Sequence, residues 1–404
     1  MKIQTSQYGE VHVLTNCPLL DSTESLEWMT EVHESFDGSE ERYPLRDVPR
    51  QYLNFNYTEM RKAMGDLFHM LYANLRKQWG IPLRQVKRTI PDMADSDYVI
   101  LDAADTIADL RVGFAFIESS EGGQVVEITE RGRYIIIQEE IRDPETDGII
   151  QPLITEYQDG FRLSAPITAT NAVIMPLRIC VIDGDASINA GGFWSNASIV
   201  FRVLAEDLPE HDGDVPEQFK GQDIYFKPLL LDGDSLEMTL TQHQNIVDGA
   251  VGGFQQYTHH ARPRYLKPFI SVLKDWSEFN AYRRFLFRRS GRSRAFWMPL
   301  YEKHLNVLNT SEITSVLSID TAYQVDANRK HIAIKRKDGS CTAHEITTRT
   351  SNSLTISPSA DVYINDVQTI CYLGLYRLDA DRVEFQFLGA GKTRVTVPIV
   401  EIDN

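Results

Sequence analysis

The stretch Pro49-Arg50-Gln51-Tyr52-Leu53 is similar to a later stretch, Pro263-Arg264-Tyr265-Leu266. This similarity is the starting point for interpreting the rest of the sequence. Other short landmarks occur twice in the same order. They are Pro18-Leu19-Leu20-Asp21 with Pro228-Leu229-Leu230-Leu231-Asp232, Ser25-Leu26-Glu27 with Ser235-Leu236-Glu237, Asp37-Gly38 with Asp248-Gly249, Trp79-Gly80-Ile81-Pro82-Leu83 with Trp297-Met298-Pro299-Leu300, and Glu121-Gly122-Gly123 with Asp338-Gly339-Ser340. Each match is weak alone, but the shared order predicts an internal duplication.

The duplication divides the 404 residues into two modules. We expect the first module at 1–207 and the second at 222–404. The segment 208–221 between them is rich in Pro, Asp and Gly, a composition typical of a linker.

One amphipathic helix is predicted in each module, because apolar residues recur there at helical spacing. The first covers about 58–78 and the second about 276–290. Thr58 with Glu59, and Ser277 with Glu278, are residues typical of a helix start. Each helix is followed at once by a segment that we expect to return under it as a strand. The scaffold residues of these segments are Trp79, Pro82, Trp297 and Pro299.

Short β-branched and aromatic runs divided by turn residues follow each helix and predict strands. In the first module they are Tyr98–Leu101, Val112–Ile117, Gln124–Ile128 and Tyr134–Gln138, and in the second Ile332–Lys335, Thr342–Thr347 and Ser353–Ile356. They indicate a small β-barrel inserted after the helix, at about 98–165 and about 315–362. The predicted fold class is α+β, mainly β: two tandem β-sandwich modules, each with one amphipathic helix and an inserted small barrel.

Composition narrows the function. The formal net charge of −16 repels nucleic-acid phosphates, so sequence-specific nucleic-acid binding is not expected. The sequence has no long apolar run that predicts a membrane span, and its first residues lack the pattern of a signal peptide. The four cysteines (Cys17, Cys180, Cys341 and Cys371) are widely spaced, which favours free buried thiols over a metal cluster.

The helix-and-return segment of the second module resembles that of phage tail proteins of the distal-tail type. The residues that carry the resemblance are Phe279, Tyr282-Arg283-Arg284-Phe285-Leu286, Gly291-Arg292 and Phe296-Trp297-Met298-Pro299. The first module is similar to the same group through Leu26-Glu27-Trp28-Met29-Thr30, Asp37-Gly38, Pro49-Arg50 and Asp109-Leu110-Arg111. It lacks the Arg/Gly turn, having Gln78-Trp79-Gly80 in that place.

The resemblance implies a non-enzymatic virion protein of the tail tip, made in the host cytoplasm, which forms a distal-tail or baseplate ring between the tail tube and the tip. Its implied partners are further copies of itself, as a hexamer or a pseudo-hexameric trimer, the tail tube protein and the baseplate hub protein. Two alternatives stay open: a receptor- or carbohydrate-binding tail-tip protein, and a cell-wall hydrolase, although the common hydrolase motifs are absent from the sequence.

Six arginines form a basic cluster in this acidic sequence. They are Arg283, Arg284, Arg288, Arg289, Arg292 and Arg294. One interpretation is a subunit interface, in which the guanidiniums bind carboxylates of a neighbouring subunit. A solvated helix face and a nucleic-acid contact are the alternatives.

No catalytic, cofactor or metal residues are predicted. The stretch Leu388–Thr393 imitates the end of a phosphate loop, but too little chain follows for the helix that such a loop needs, so we expect a hairpin turn. His243, His259 and His260 lack partners at metal-ligand spacing, and packing or surface positions are commoner for histidine. Acidic stretches at 183–185, 212–214 and 232–234 lack a full calcium loop and are predicted to be turns, with weak calcium binding left open.

Overall fold

Antiparallel sheets dominate the computed structural model of the chain, which is 59% strand and 11% helix. The structure describes residues 1–19, 21–35, 37–100, 110–138, 141–142, 149–151, 154–189, 191, 193–204, 216–227, 239–242, 244–258, 263–300, 305–320, 329–389 and 391–402. Two α-helices occur in this part of the chain. The prediction of a mainly β protein is therefore confirmed.

The described residues form 33 strands and two α-helices. The strands up to residue 204 are β1 (Lys2–Thr5), β2 (Gly9–Val13), β3 (Thr23–Glu27), β4 (Thr30–Glu34), β5 (Glu40–Pro44), β6 (Arg50–Met60), β7 (Trp79–Pro82), β8 (Arg88–Thr89), β9 (Met93–Ile100), β10 (Gly113–Ser119), β11 (Gly122–Gln138), β12 (Ile141–Arg142), β13 (Ile149–Gln151), β14 (Ile154–Ala169), β15 (Val173–Ile182), β16 (Ser187–Asn189) and β17 (Trp194–Val203). The later strands are β18 (Gln218–Phe219), β19 (Gln222–Asp223), β20 (Thr239–Thr241), β21 (Asn245–Asp248), β22 (Phe254–Tyr257), β23 (Arg264–Leu273), β24 (Phe296–Pro299), β25 (Glu312–Ile313), β26 (Val316–Ser318), β27 (His331–Arg336), β28 (Cys341–Arg349), β29 (Ser353–Ser357), β30 (Val362–Tyr363), β31 (Val367–Leu378), β32 (Arg382–Gly389) and β33 (Lys392–Glu401). The helices are α1 (Arg61–Asn74) and α2 (Trp276–Arg289).

A single row of eight strands runs through both halves of the chain. Its order is β20-β23-β33-β32-β3-β6-β17-β16, and every neighbouring pair is antiparallel. The first four strands belong to the second half and the last four to the first half. The two halves are thus joined through one continuous sheet, at the pairing of β3 with β32.

Each half repeats one sequence of elements around its helix. In the first half β6 leads into α1 and then β7, and β7 pairs with β15. In the second half β23 leads into α2 and then β24, and β24 pairs with β31. The strands β6 and β23 alternate buried and less buried residues, so one face of each packs under its helix.

A second set of strands follows β7 and β24 with the same pairing order in both halves. The order is β9-β14-β11-β10-β15 in the first half and β26-β29-β28-β27-β31 in the second. The predicted Asp338-Gly339 turn is confirmed, with Gly339 in the left-handed region. The predicted strands Gln124–Ile128 and Tyr134–Gln138 are wrong as separate elements. They form one strand, β11, with an irregularity after Ile128.

Both helices exist; the second begins at 276 as predicted, whereas the start of the first differs from the prediction. Thr58, Glu59 and Met60 extend β6 and pair with β17, so α1 begins at Arg61 rather than at 58. It ends at Asn74 rather than at 78. The second helix runs from 276 to 289, and its cap is Asp275, which accepts a hydrogen bond of 2.9 Å from the Glu278 N–H.

The strand registers show which positions of the two halves correspond. The Leu83 N–H donates to the Pro176 carbonyl at 2.8 Å, and the Leu300 N–H donates to the Tyr372 carbonyl at 2.9 Å. Pro82 and Pro299 therefore match, as the landmarks suggested.

The two tryptophans do not match. Trp79 pairs with Cys180, and the residue at that position in the second half is Phe296, which pairs with Tyr376. Trp297 lies one position further along. Both tryptophans are buried, but a one-residue offset along a strand places them on opposite faces of their sheets.

Several predictions fall outside the described residues. They are the landmarks at 228–232 and 235–237, positions 208–215 of the linker, the acidic stretches 212–214 and 232–234, and His243, His259 and His260. The division into modules at 207 and 222 stays a prediction. The first strand of the row, β20, corrects one landmark: Leu240 pairs with Tyr265 as Leu26 pairs with Gln51, so Leu240 and not Leu236 is the counterpart of Leu26. The hairpin registers correct another: Asp248 pairs with Phe254 as Glu34 pairs with Glu40, so Gly252 and not Gly249 is the counterpart of Gly38.

Candidate functional site: an internal seam and two free sheet edges

The two halves meet along a contact that we call the internal seam: β3 and the β4–β5 hairpin of the first half against the second half. Its backbone component is the pairing of β3 with β32, with Ser25 opposite Glu384 and Leu26 opposite Val383. Strand pairing fixes the register of the seam to a single residue, because a shift by one would turn every side chain to the other face.

Apolar side chains from the first half complete the core of the second half. Leu26 and Trp28 are 0% and 1% exposed and belong to the same buried cluster as α2. The Trp28 ring contacts Phe287 of α2 edge-on, with 5.8 Å between ring centroids. Burial of this kind is the largest favourable contribution available at the seam.

Asp381 fixes the entry of the hairpin. Its carboxylate accepts the backbone N–H of Thr30 at 2.8 Å and that of Arg292 at 3.1 Å, while its carbonyl accepts the Trp28 N–H at 2.9 Å. Gly291 has a φ of +65°, and a Cβ there would come within 2.4 Å of the Asp381 carboxylate. Only glycine allows this close approach.

A buried ionic cluster holds the far end of the hairpin. Glu40 accepts hydrogen bonds from Arg377 at 2.8 and 3.0 Å and from Arg264 at 3.1 Å, and Arg42 lies 3.9 Å away. Burial by itself raises the pKa of Glu40, but the hydrogen bond and charge of Arg377, with the charges of Arg264 and Arg42, outweigh it and lower the pKa below its ordinary value. The carboxylate is thus held ionised within the seam.

A second buried ion pair lies beneath α2. Glu24 of β3 lies 3.6 Å from Arg283 and accepts a hydrogen bond of 2.8 Å from Gln51. Both members of the ion pair are nearly inaccessible to solvent. Removing one partner of such a pair leaves a buried charge, so the pair links the fold of one half to the other.

Four of the six arginines in the predicted cluster pair with carboxylates of the same chain. Arg283 faces Glu24, Arg288 and Arg289 each lie 2.7 Å from Asp223, and Arg292 lies 3.4 Å from Asp381. The carboxylates predicted on a neighbouring subunit therefore have counterparts in the same chain, because a buried guanidinium must be paired where it is buried.

Arg284 and Arg294 are exposed. Arg294 lines a cleft of about 380 Å³ together with Arg42, Arg288, Arg289 and Asp223. Burial raises the pKa of Asp223, but hydrogen bonds from Arg288 and Gln218 and the charges of Arg288 and Arg289 lower it overall.

The row of strands ends in two edges that have no strand partner among the described residues: β16 in the first half and β20 in the second. Beside β20 stands the β21–β22 hairpin, every residue of which is exposed. The exposed apolar side chains on its strands, with that of β20, are Leu240, Ile246, Val247, Phe254 and Tyr257. A long apolar edge of this kind is typical of an interaction surface.

The edge at β16 carries its own set of exposed groups. Asp185, two residues before β16, is exposed, and Ile188 is partly buried. Phe68 and Tyr72 on α1 stack on each other at 6.2 Å and are 53% and 82% exposed. This aromatic face is unusual on a helix that otherwise buries Met64, Leu67 and Leu71.

Sequence reasoning did not identify these edges as a site. The signal was present: the hairpin at 245–257 carries Ile246-Val247 and Phe254 where the first hairpin carries Val32-His33 and Glu40. Without the strand register, however, there was no basis for comparing the two segments.

The remaining predicted features have simple positions. The stretch Leu388–Thr393 connects β32 to β33, and Gly389 pairs with Lys392, so the predicted hairpin turn is confirmed. Cys180, Cys341 and Cys371 are buried free thiols as predicted, whereas Cys17 is exposed. Within the described ranges no three or more His, Cys, Asp or Glu residues gather as metal ligands, and neither helix there is long and apolar enough to cross a membrane.

Comparison with known proteins gives no assignment. No model of a known protein family matches the chain, and no curated protein matches its sequence.

Proposed function

We propose that the chain is a non-enzymatic structural protein of a phage tail tip, in which copies join head to tail into a closed ring. Each copy contributes two tandem modules, and each module is a β-sandwich with one helix and an inserted small barrel. The ring serves as a distal-tail or baseplate component between the tail tube protein and the hub protein, in the mature virion. The matching order of elements in the two halves supports the duplication.

One observation carries the proposal. The strand order of the second half, β20-β23-β33-β32, is repeated by the first half as β3-β6-β17-β16, and the row of eight ends in two different edges, β20 and β16. Joining β20 of one copy to β16 of the next repeats the junction of β3 with β32. Such an interface is heterologous, and a heterologous interface that repeats either closes into a ring or grows into a filament. The sequence resemblance to distal-tail proteins favours the ring.

The experiment is a mass measurement of the purified full chain by light scattering over a range of concentrations, followed by negative-stain imaging. The proposal predicts a discrete oligomer with a central opening. Antibody raised against the chain should label one end of the tail in particles of the phage that carries its gene. A monomer at every concentration, or label along the capsid alone, contradicts the proposal.

A second candidate is favoured by a separate observation. Phe193 and Trp194 are exposed, contact each other edge-on at 5.8 Å, and stand near a cleft of about 290 Å³ lined by Asn56, Asn189 and Asn196. Exposed aromatic rings beside amide groups suit carbohydrate, which stacks and hydrogen-bonds at once. Trp194→Ala should abolish glycan-array binding and leave the mass unchanged if this candidate is right. The ring proposal expects no specific glycan signal.

A further inference from the structure

We propose that the β21–β22 hairpin of one copy docks on the first half of a second copy in the register of the internal seam, with Phe254 seated on Val181 where the internal seam has Glu40 on Arg377. The inference rests on the proposed ring and deepens it, because it names the partner surface. It also explains why the two junctions differ in chemistry.

The backbone registers define where the hairpin would lie. In the first half Val181 of β15 pairs with Arg202, which pairs with Tyr52; in the second half Arg377 of β31 pairs with Val400, which pairs with Leu266. Val181 thus holds the position of Arg377. Likewise Phe254 pairs with Asp248 at the start of β22, as Glu40 pairs with Glu34 at the start of β5.

The two hairpins also match in geometry. Each has a glycine in the left-handed region at its turn, Gly38 with a φ of +90° and Gly252 with a φ of +135°. The strands β4 and β5 and the strands β21 and β22 lie at the same distances along the chain from β6 and β23 respectively. The second hairpin therefore has the geometry with which the first hairpin docks.

A carboxylate that fixes the hairpin's entry is retained on the first half. Asp183 and Asp379 each donate their N–H at 2.8 Å to matching carbonyls, those of Val200 and Pro398. Two residues beyond them stand Asp185 and Asp381. Asp185 is exposed and free to accept the backbone N–H of an incoming chain, as Asp381 accepts that of Thr30.

The helix face beside the edge changes from ionic to apolar. The buried residues Met64, Leu67 and Leu71 of α1 have the spacing of Phe279, Tyr282 and Leu286 in α2. On this alignment exposed Phe68 and Tyr72 replace buried Arg283 and Phe287. The incoming strand presents Leu240, 59% exposed, in the position of Leu26.

Because the two junctions differ in chemistry, each junction accepts only one of the two hairpins. If the first hairpin took the outer junction, Glu40 would be buried on Val181 without Arg377. If the second hairpin took the internal seam, Phe254 would remove the buried carboxylate that Arg377 and Arg264 share, and Arg377 would keep only Asp379 at 2.7 Å. A buried charge without its partner is strongly unfavourable, so each hairpin docks at its own junction. The internal seam and the outer junction between copies then alternate around the ring.

The test is a double-mutant cycle on the dissociation constant of the full-length oligomer, measured by light scattering and analytical ultracentrifugation. Phe254→Glu and Val181→Arg should each weaken association at least about tenfold, because each buries an ill-matched charge. The double variant should recover most of the loss, because it recreates the Glu40–Arg377 pair at the outer junction.

Val251→Glu is the matched control. It adds the same charge to the same hairpin, but Val251 is 95% exposed at the turn, where the internal seam has solvent-exposed Asp37. It should associate like the unmodified chain. Thermal unfolding of each variant checks the fold. Phe254 is exposed and Val181 is partly buried.

The outcomes separate the two proposals. Association of Phe254→Glu as tight as that of the unmodified chain, or singles that weaken association with no recovery in the double variant, overturns the docking register while leaving the ring. An unmodified chain that stays monomeric overturns the ring and the docking register together.

Discussion

The β4–β5 and β21–β22 hairpins occupy the same place in their respective halves, but one is anchored and the other is bare. The first is held by Asp381 and by the Glu40 cluster, and the strand leading into it buries Leu26 and Trp28. The second exposes Ile246, Val247 and Phe254. Evolution of a soluble surface would favour polar residues at the bare hairpin. The apolar residues of the bare hairpin support the proposal that it docks on a second copy.

The largest expected effect comes from removing the Trp28 side chain from the internal seam. Trp28→Ala should lower the free energy of unfolding by about 3–5 kcal/mol, because it empties a fully buried aromatic site against Phe287. Gln242, the counterpart of Trp28 beside β20, is exposed, and Gln242→Ala should change monomer stability by less than about 0.5 kcal/mol. Urea unfolding measured at concentrations below association checks both. Equal effects would remove the distinction between the hairpins.

The next test concerns charge and pH at the anchored hairpin. Glu40→Gln should cost about 3 kcal/mol at neutral pH, because it removes the buried negative charge that Arg377 and Arg264 share. Because the pKa of Glu40 is lowered in the folded chain, its contribution is present above the ordinary value of 4.5 and is lost as the pH falls through the folded value. The stability difference between Glu40→Gln and the unmodified chain should therefore shrink in acid. A difference that is constant from pH 7 to pH 3 contradicts this assignment.

A smaller test uses the matched carboxylates. Asp381→Ala should destabilise the monomer by about 1–3 kcal/mol, because the buried N–H groups of Thr30 and Arg292 lose their acceptor. Asp185→Ala should leave monomer unfolding unchanged and weaken association instead. Unfolding and light scattering on the same samples separate the effects. A destabilised Asp185→Ala monomer would mean that Asp185 already has a partner within the chain.

Part of the fold could be predicted from the sequence. The proline landmarks Pro82 and Pro299 keep their register, since each ends its strand, whereas the scaffold residues Trp79 and Trp297 do not correspond. The start of the first helix was misplaced because Thr58 and Glu59 suit a cap and an exposed strand equally well, whereas the start of the second helix at 276 was predicted correctly. The short Ser-Leu-Glu motif led to Leu236 as the counterpart of Leu26, whereas backbone pairing selects Leu240.

The candidate site was harder to predict for a physical reason. The arginine cluster was visible, but its partners Glu24, Asp223 and Asp381 lie far away along the chain, and only folding brings them together. Exposure is likewise a property of the assembled sheet. Phe68 and Tyr72 looked like part of an apolar helical stripe, and only the structure shows them outside it.

The central claim is that β20 of one copy pairs with β16 of the next in the register of β3 with β32. Because Ser25 lies opposite Glu384, Thr239 should lie opposite Ser187 of a second copy. A chain with Cys17→Ser, Ser187→Cys and Thr239→Cys should form disulfides between copies on oxidation. A non-reducing gel should then show a ladder ending at one closed species, whereas Thr241→Cys in place of Thr239→Cys should give little linkage. A monomer band alone, or equal linkage in both registers, would contradict the account.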